Sequence, residues 1–521
     1  MKLLKTTAVI MCAIITAGSI SITGSAESAA PDRFEITNPY ENVDFASFQA
    51  YKTQLHCHTT ASDGYDKIQD AIEMYYNLDY DAVAITDHGV NNIGWNKTPQ
   101  MSPLVRAVKK ERSGGAYAKI DPLTDEAYEA YLKGTAELKD GVTRTHSAGM
   151  CDIALGNELN LATPFADCHL THYWCTYGQG YAGVFGDYET PSRESSKQGG
   201  VVMLSHVGEY VYTKKDSKNH VAKKIDEYYV NKFARVFLDN PVNGGKYSGS
   251  VCGMGINSAT DAHTRCDRIL YDQILQKTIP NGVVPWGFTF SDSHDMESIN
   301  NAYTMMLAPD WTGLDNDTRN NMIRKAMENG EFFSVSHYSN GYELDGEREF
   351  LEIEEDVDWE DCNSMNDTPM VTNVIVDDST DTITVEAENA NRIVWVSNGN
   401  VIKRETAEAS ENGKATFTIQ LSEDGLKNDV SLFIRFYVTG PQGICYSNPM
   451  VLHGLDENGN PIPFEAVNVP KTHDISTFLR SLVTVLDWGL FKWSPIVWAF
   501  KYFALGYNPI AQLVNSIAFW K

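Results

Sequence analysis

The sequence predicts an α/β protein: a parallel, barrel-type domain over residues 50–340, then a small all-β sandwich over 368–453 and a short helical hydrophobic tail over 475–521. Three observations carry this. Up to about Tyr338, short apolar runs rich in β-branched residues alternate with longer amphipathic stretches, the pattern of parallel strands covered by helices. Beyond residue 368 the strands follow one another with only turn residues between them. The last 47 residues are apolar and aromatic but broken by Pro495, Gly506 and Pro509.

The chain has 521 residues and a net charge of −27. That length suggests several domains, and a hydrophobic content of 42% excludes wholesale disorder. The acidic balance argues against extended duplex nucleic-acid binding, which needs clustered Lys and Arg to neutralise phosphates. A small phosphorylated substrate held through metal ions remains compatible with it.

Residues 1–26 place Lys2 and Lys5 ahead of an apolar stretch from Ala8 to Ala17, then Gly24, Ser25 and Ala26. This is the layout of a secretory signal peptide, and it predicts a secreted or extracytoplasmic protein. Cleavage after Ala26 would take the net charge to −29. Eight cysteines would remain, none in a CxxC pair, with Cys168/Cys175 and Cys252/Cys266 the nearest couples.

In the first domain the apolar runs are 53–60, 81–88, 151–159, 199–206 and 283–294, with helical candidates at 65–78, 124–138, 221–238 and 316–329. A stretch of nearly 290 residues of this kind suits a barrel better than an open sheet. Each run ends in metal-ligating side chains: His56 and His58, then Asp87 and His88, then Glu158, then His206, then Asp292 and His294. Residues two apart on a strand point to one side, so His56 and His58 can share an ion. In a parallel barrel the C-terminal strand ends converge on one face. Taken singly each element is ordinary; their joint occurrence at successive strand ends points to a metal centre.

These motifs resemble the PHP (polymerase and histidinol phosphatase) domains. The four PHP motifs stand here as LHCHTTASDG (55–64), AITDHG (84–89), VMLSHVGE (202–209) and FSDSHD (290–295). The phosphoesterase branch adds a glutamate at a strand end and a histidine about eleven residues later, matched by Glu158 and His169. The resemblance implies a distorted (β/α)7-type, TIM-like barrel. It also implies two or three divalent transition metal ions on nine ligands. One ion would take His56, His58, Glu158 and Asp292, a second would share Glu158 with His169 and His206, and a third would take Asp63, His88 and His294. Asp66 rivals Asp63 by spacing, and His172 rivals His169. Six imidazoles and three carboxylates suit Zn, Mn or Fe.

The expected reaction is hydrolysis of a phosphate mono- or diester, such as a nucleotide, a sugar phosphate or an oligonucleotide end, by metal-bound hydroxide. Glu158 and Asp292 would act at the catalytic centre, with Asp87 orienting a ligand histidine. About 69 residues separate His88 from Glu158. In that insertion Arg106, Lys109, Lys110 and Arg112 are candidates for binding the substrate phosphate, against a plain solvated helix surface.

Two other readings compete. An amidohydrolase-like barrel also uses HxH, two later histidines and an aspartate, but it would usually place a bridging lysine where Glu158 stands and would lack the third site. A non-catalytic secreted binding protein with a vestigial barrel would be expected to lose ligands.

A run from Glu343 to Asp361 carries eleven acids and one arginine and reads as a solvated edge and linker. The sandwich resembles the β-module that follows secreted PHP domains and holds no ligand cluster. In the tail, Trp488, Trp493, Trp498 and Trp520 with Lys492 and Lys501 suit amphipathic helices that pack on the body or lie in a membrane interface.

Overall fold

The computed structural model describes residues 33–100, 120–159, 169–178, 188–210, 225, 227–242, 250–256, 265–337, 342–344, 347–349, 368–407, 413–440 and 442–470. The signal peptide, the basic stretch with Arg106, Lys109, Lys110 and Arg112, most of the acidic run and the tail lie outside these residues. No helix among the described residues is long and apolar enough to cross a membrane.

The molecule is a mixed α/β protein with six α-helices among the described residues. Strands β1 (Phe34–Thr37) and β2 (Gln49–Gln54) lead to helix α1 (Ile68–Asn77), which buries Ile68, Ala71, Ile72, Tyr75 and Tyr76, an apolar stripe at helical spacing. Strand β3 (Ala82–Val83), helix α2 (Asp125–Lys133) and strand β4 (Cys151–Asp152) follow, with Thr124 capping α2 by accepting from the Ala127 amide. Strands β5 (Asn157–Glu158) and β6 (Leu170–Tyr173), helix α3 (Glu189–Lys197), strand β7 (Val201–Leu204), helix α4 (Glu227–Asp239), strand β8 (Ser250–Gly255), helix α5 (Arg265–Thr278) and strand β9 (Trp286–Phe288) come next. Strand β10 (Ala302–Ala308), helix α6 (Asn316–Asn329) and strand β11 (Phe332–Ser336) complete this part. Helix α6 is stopped at both ends: Asp315 accepts from the Thr318 amide, and Gly330 takes a left-handed φ of 74° against the Trp286 ring, where a Cβ would come within 2.7 Å.

The strands form two arcs. In one, β2, β3 and β4 are parallel, and β10 pairs antiparallel with β2. In the other, β7, β8 and β9 are parallel, while β6 runs antiparallel to both β5 and β7. This corrects the expectation of a wholly parallel sheet. A reversed strand needs no crossover helix, and the link from β5 to β6, residues 159–169, is shorter than the dozen or more residues a parallel crossover takes. The arcs meet at isolated parallel bridges, Cys57 with Ser293 and His88 with Glu158. No continuous closed barrel is formed among the described residues.

After a short hairpin, β12 (Tyr342–Leu344) with β13 (Glu347–Glu349), the all-β part begins. Strands β14 (Met370–Asp377), β15 (Thr382–Glu388) and β18 (Lys414–Gln420) make one sheet. Strands β16 (Arg392–Ser397), β17 (Asn400–Thr406), β19 (Phe433–Gly440), β20 (Gly443–Tyr446) and β21 (Met450–Gly454) make the facing layer. The buried residues Val371, Val374, Ile383, Val385, Trp395, Phe417 and Phe436 belong to one apolar cluster between the two. This second layer continues into the first part of the chain: β20 pairs with β11, and β21 pairs with β1. The main-chain ladder thus runs from the β-module through β11 and β10 to β2, whose end carries the HxH motif. Arg435 on β19 reinforces the junction with a buried bidentate pair to Asp272 on α5, at 2.8 and 2.7 Å.

The cysteines Cys57, Cys151, Cys175, Cys252 and Cys445 are free and buried. Cys175 and Cys252 each belong to one of the two couples that lie nearest in sequence.

Candidate metal centre

The ligand-type side chains lie just beyond the strand ends. His56 and His58 follow β2, His88 follows β3, Glu158 ends β5, His206 follows β7, and Asp292 and His294 follow β9. The bridge between Cys57 and Ser293 brings the HxH and DxH motifs side by side: the Asp292 amide donates to the His56 carbonyl at 3.1 Å, and the His58 amide to the Ser293 carbonyl at 2.9 Å. Asp292 holds a φ of 50°, a left-handed conformation that aspartate tolerates better than most residues and that tends to cluster at functional sites.

Three groups result. His56 Nε2 and His58 Nε2 approach Asp292 Oδ1 at 3.1 and 3.0 Å. His56 Nε2 and His206 Nε2 approach Glu158 Oε1 at 3.5 and 3.4 Å. His58, Asp63, His88 and His294 form a third group, with His88 Nε2 and His294 Nε2 at 3.2 and 3.6 Å from the Asp63 carboxylate. Two ligands, each ~2.1 Å from one ion, stand roughly 3.0–3.4 Å apart at right to tetrahedral angles. Four of the six separations fall in that range and the other two, at 3.5 and 3.6 Å, lie just beyond it, longer than an ordinary hydrogen bond. His56 Nε2 is buried and makes no hydrogen bond among the described residues, while Glu158 Oε2 has His88 Nδ1 2.7 Å away. A donor set of buried imidazoles around carboxylates, with acceptor atoms left over, fits transition metal ions.

All nine expected ligands are in this cluster, with a partition that differs in two respects from the expected one. His56 also groups with Glu158 and His206, and His58 reaches into the third group. His169 Nδ1 lies 2.8 Å from Glu158 Oε1, while its rival His172 points the other way, to the Tyr177 carbonyl at 3.0 Å and the Cys175 thiol at 3.1 Å. The two alternate because β6 is a strand, so residues three apart face opposite sides. Burial pushes His172 down to about 4, as expected of a neutral core histidine.

Residues of the surrounding layer set the tautomers. Thr86 Oγ1 donates to the Cys57 carbonyl at 3.1 Å and so accepts from His56 Nδ1 at 2.7 Å, leaving Nε2 as the acceptor. Ser62 Oγ donates to Asp87 at 2.6 Å and accepts from His58 Nδ1 at 3.3 Å, with the same effect. Asp87 also receives the Thr59 amide and hydroxyl at 2.8 and 2.9 Å. It therefore acts on His58 through Ser62 and fixes the loop that carries Asp63. Gly64 closes this loop, because a Cβ there would lie 2.7 Å from the His58 carbonyl group. Thr86 and Ser62 carry part of the geometry yet were not singled out from the sequence; both sit inside the motifs that were.

The electrostatics favour cations. Burial alone would raise Glu158 and Asp292, yet both are held well below the usual carboxylate range, Glu158 by His88, His169 and His56, and Asp292 by His56 and His206. His58 is pushed down to about 3 by burial and by the positive charge of His88 and His294. His88, despite burial, is raised to about 9 by Glu158 and Asp63. The carboxylates remain anionic, balanced by the positive charge of the histidines around them, a role that a bound cation could take over.

No family model and no curated protein matches the chain. Among solved structures it is similar to a two-domain protein from Bacteroides vulgatus described as containing a predicted PHP-like metal-dependent phosphoesterase. The identity is 12% and the TM-score 0.32, over 81% of this chain and 99% of that one. It is also similar to the lesion-specific endonuclease PfuEndoQ from Pyrococcus furiosus, at 12% identity and a TM-score of 0.28, over 54% of this chain and 56% of that one.

Proposed function

We propose that the chain is a secreted, metal-dependent phosphoesterase that hydrolyses a phosphate mono- or diester, with two or three Zn, Mn or Fe ions on the nine clustered ligands. The observation that carries this reading is the set of contiguous groups around Asp292, Glu158 and Asp63, in which His56 and His58 are each shared between two groups. The third group also favours a phosphoesterase over an amidohydrolase-like enzyme. We read the two arcs, joined at the ligand-bearing strand ends, as an opened form of the (β/α)7 barrel.

Divalent ions in such a centre supply Lewis acidity, bringing the pKa of water toward neutrality and offsetting charge on phosphoryl and leaving oxygens. The chain's own residues prepare the site. Thr86 and Ser62 hold His56 and His58 with Nε2 turned inward. Glu158 and Asp292 stay ionised while buried, so they hold charge at the centre without taking a proton. Cys57 offers no nucleophile: its thiol faces the Ala84 carbonyl at 3.3 Å, and burial raises its pKa.

Incubating the mature protein with p-nitrophenyl phosphate and bis-p-nitrophenyl phosphate, with and without a chelator, tests the reading. Chelator-sensitive hydrolysis of either ester supports it, and the preferred ester assigns mono- or diesterase. Absence of hydrolysis by metal-loaded protein contradicts it.

A further inference from the structure

The exposure of the ligands shows where substrate must enter. His56, His58 and Glu158 have fully buried side chains, whereas the side chains of Asp63 and His294 are 39% and 35% exposed. Among the described residues, the mouth of the centre is therefore on the side of the third group. Tyr65 stands there. It follows Asp63 by two residues, and its amide donates to the His294 carbonyl at 2.7 Å, so its backbone is tied to both of the exposed ligands. The loop that carries it is closed on itself: the Thr60 amide donates to the Asp66 carbonyl at 2.8 Å, and Gly64 packs on His58. On this fixed backbone the Tyr65 side chain is left in solvent, at 80% the most exposed large apolar residue among those described.

An aromatic ring on a rigid mount needs little ordering to bind, because only two side-chain torsions are free. It offers a face on which a flat ring can stack. Resting on the phosphoesterase reading, we propose that Tyr65 is a substrate-binding residue that selects esters whose phosphate is attached to an aromatic or nucleoside group. The phosphate would lie at the ligands, and the ring of the same substrate on Tyr65.

The test uses the metal-loaded full chain and its Tyr65→Ala and Tyr65→Phe variants. The ratio of kcat/KM for adenosine 5′-monophosphate to that for β-glycerophosphate, which has no ring, reads the selectivity. Loss of stacking should lower this ratio about 5- to 30-fold in Tyr65→Ala, through KM, while Tyr65→Phe keeps it. An unchanged ratio in Tyr65→Ala overturns the proposal. Equilibrium binding of the same two compounds gives a readout that does not depend on turnover. If neither monoester is hydrolysed by the parent protein, hydrolysis of the two p-nitrophenyl esters decides the phosphoesterase reading, which fails if those too are left intact. The Tyr65 proposal then stands only if adenosine 5′-monophosphate binds the parent in preference to β-glycerophosphate and loses that preference in Tyr65→Ala; equal binding of the two overturns it.

Discussion

Thr86 and His56 form a directed pair: the Thr86 hydroxyl gives its hydrogen to the Cys57 carbonyl and takes the His56 Nδ1 hydrogen at 2.7 Å. The imidazole is left with Nε2 as its only lone pair, facing Asp292 and Glu158 at 3.1 and 3.5 Å. Thr86 is thus a positioning residue.

Thr86→Val keeps the shape and removes the acceptor. Metal affinity should fall about 10- to 100-fold, the usual cost of losing an outer partner of a ligating histidine. Thr86→Ser should restore most of it. Competition against a chromophoric chelator measures both, and equal affinity in Thr86→Val would show that the tautomer is set elsewhere.

Removing the metal should destabilise the fold. A ligand present at 100 to 1,000 times its Kd stabilises by roughly 2.7–4.1 kcal/mol, and a chelator withdraws that contribution. Differential scanning calorimetry with and without chelator should show a lower Tm on chelation, reversed by adding back Zn, Mn or Fe.

The junction of the two parts can be weighed through Arg435 and Asp272, a buried pair at 2.8 and 2.7 Å. Arg435→Met strands the Asp272 carboxylate in the interior and should cost about 3–5 kcal/mol. The double variant with Asp272→Leu should recover much of this loss. Denaturant titration decides, and equal stability of parent and Arg435→Met would mean that the pair is not buried in solution.

Asp152 predicts a pH dependence away from the metal centre. Burial raises its pKa to about 7, although the Trp95 amide and Tyr128 hydrogen-bond to it. The folded pKa lies above the unfolded value near 3.8. The unfolded chain therefore gives up this proton first, and stability falls as pH rises from about 4 to about 7. Asp152→Asn keeps an acceptor for Trp95 without the charge. It should be more stable than the parent at pH 8, with the difference shrinking toward pH 4.5 in urea titrations.

Much of this was legible before any coordinates. The β-module strands fall on the apolar runs read from residue 370 onward, and α1, α2, α4 and α6 fall on amphipathic stretches. Seven of the nine clustered residues, His56, His58, His88, Glu158, His206, Asp292 and His294, stand at or near the end of an apolar run; Asp63 and His169 lie outside the runs and follow only from the resemblance. Helix α3 escaped notice because its sequence ETPSRESSK buries Pro191, Ser192, Ser195 and Ser196 and shows no apolar periodicity. Strand β8, SVCGMG, was hidden by its two glycines. The antiparallel β6 and the ladder from β20 to β11 are long-range pairings that no local pattern encodes. The sharing of His56 and His58 between groups likewise depends on how the arcs meet, not on spacing.

The central claim is that Glu158, fully buried among His56, His58, His88, His169 and His206, is the shared carboxylate of a divalent metal centre. Metal analysis of the purified parent and of Glu158→Gln, each with its rate on p-nitrophenyl esters, tests it most directly. The account predicts two or three equivalents of Zn, Mn or Fe in the parent, and in the variant at least one equivalent fewer with hydrolysis down by 100-fold or more. A parent that carries no tightly bound transition metal, or a variant that matches it in both metal content and rate, would contradict the account.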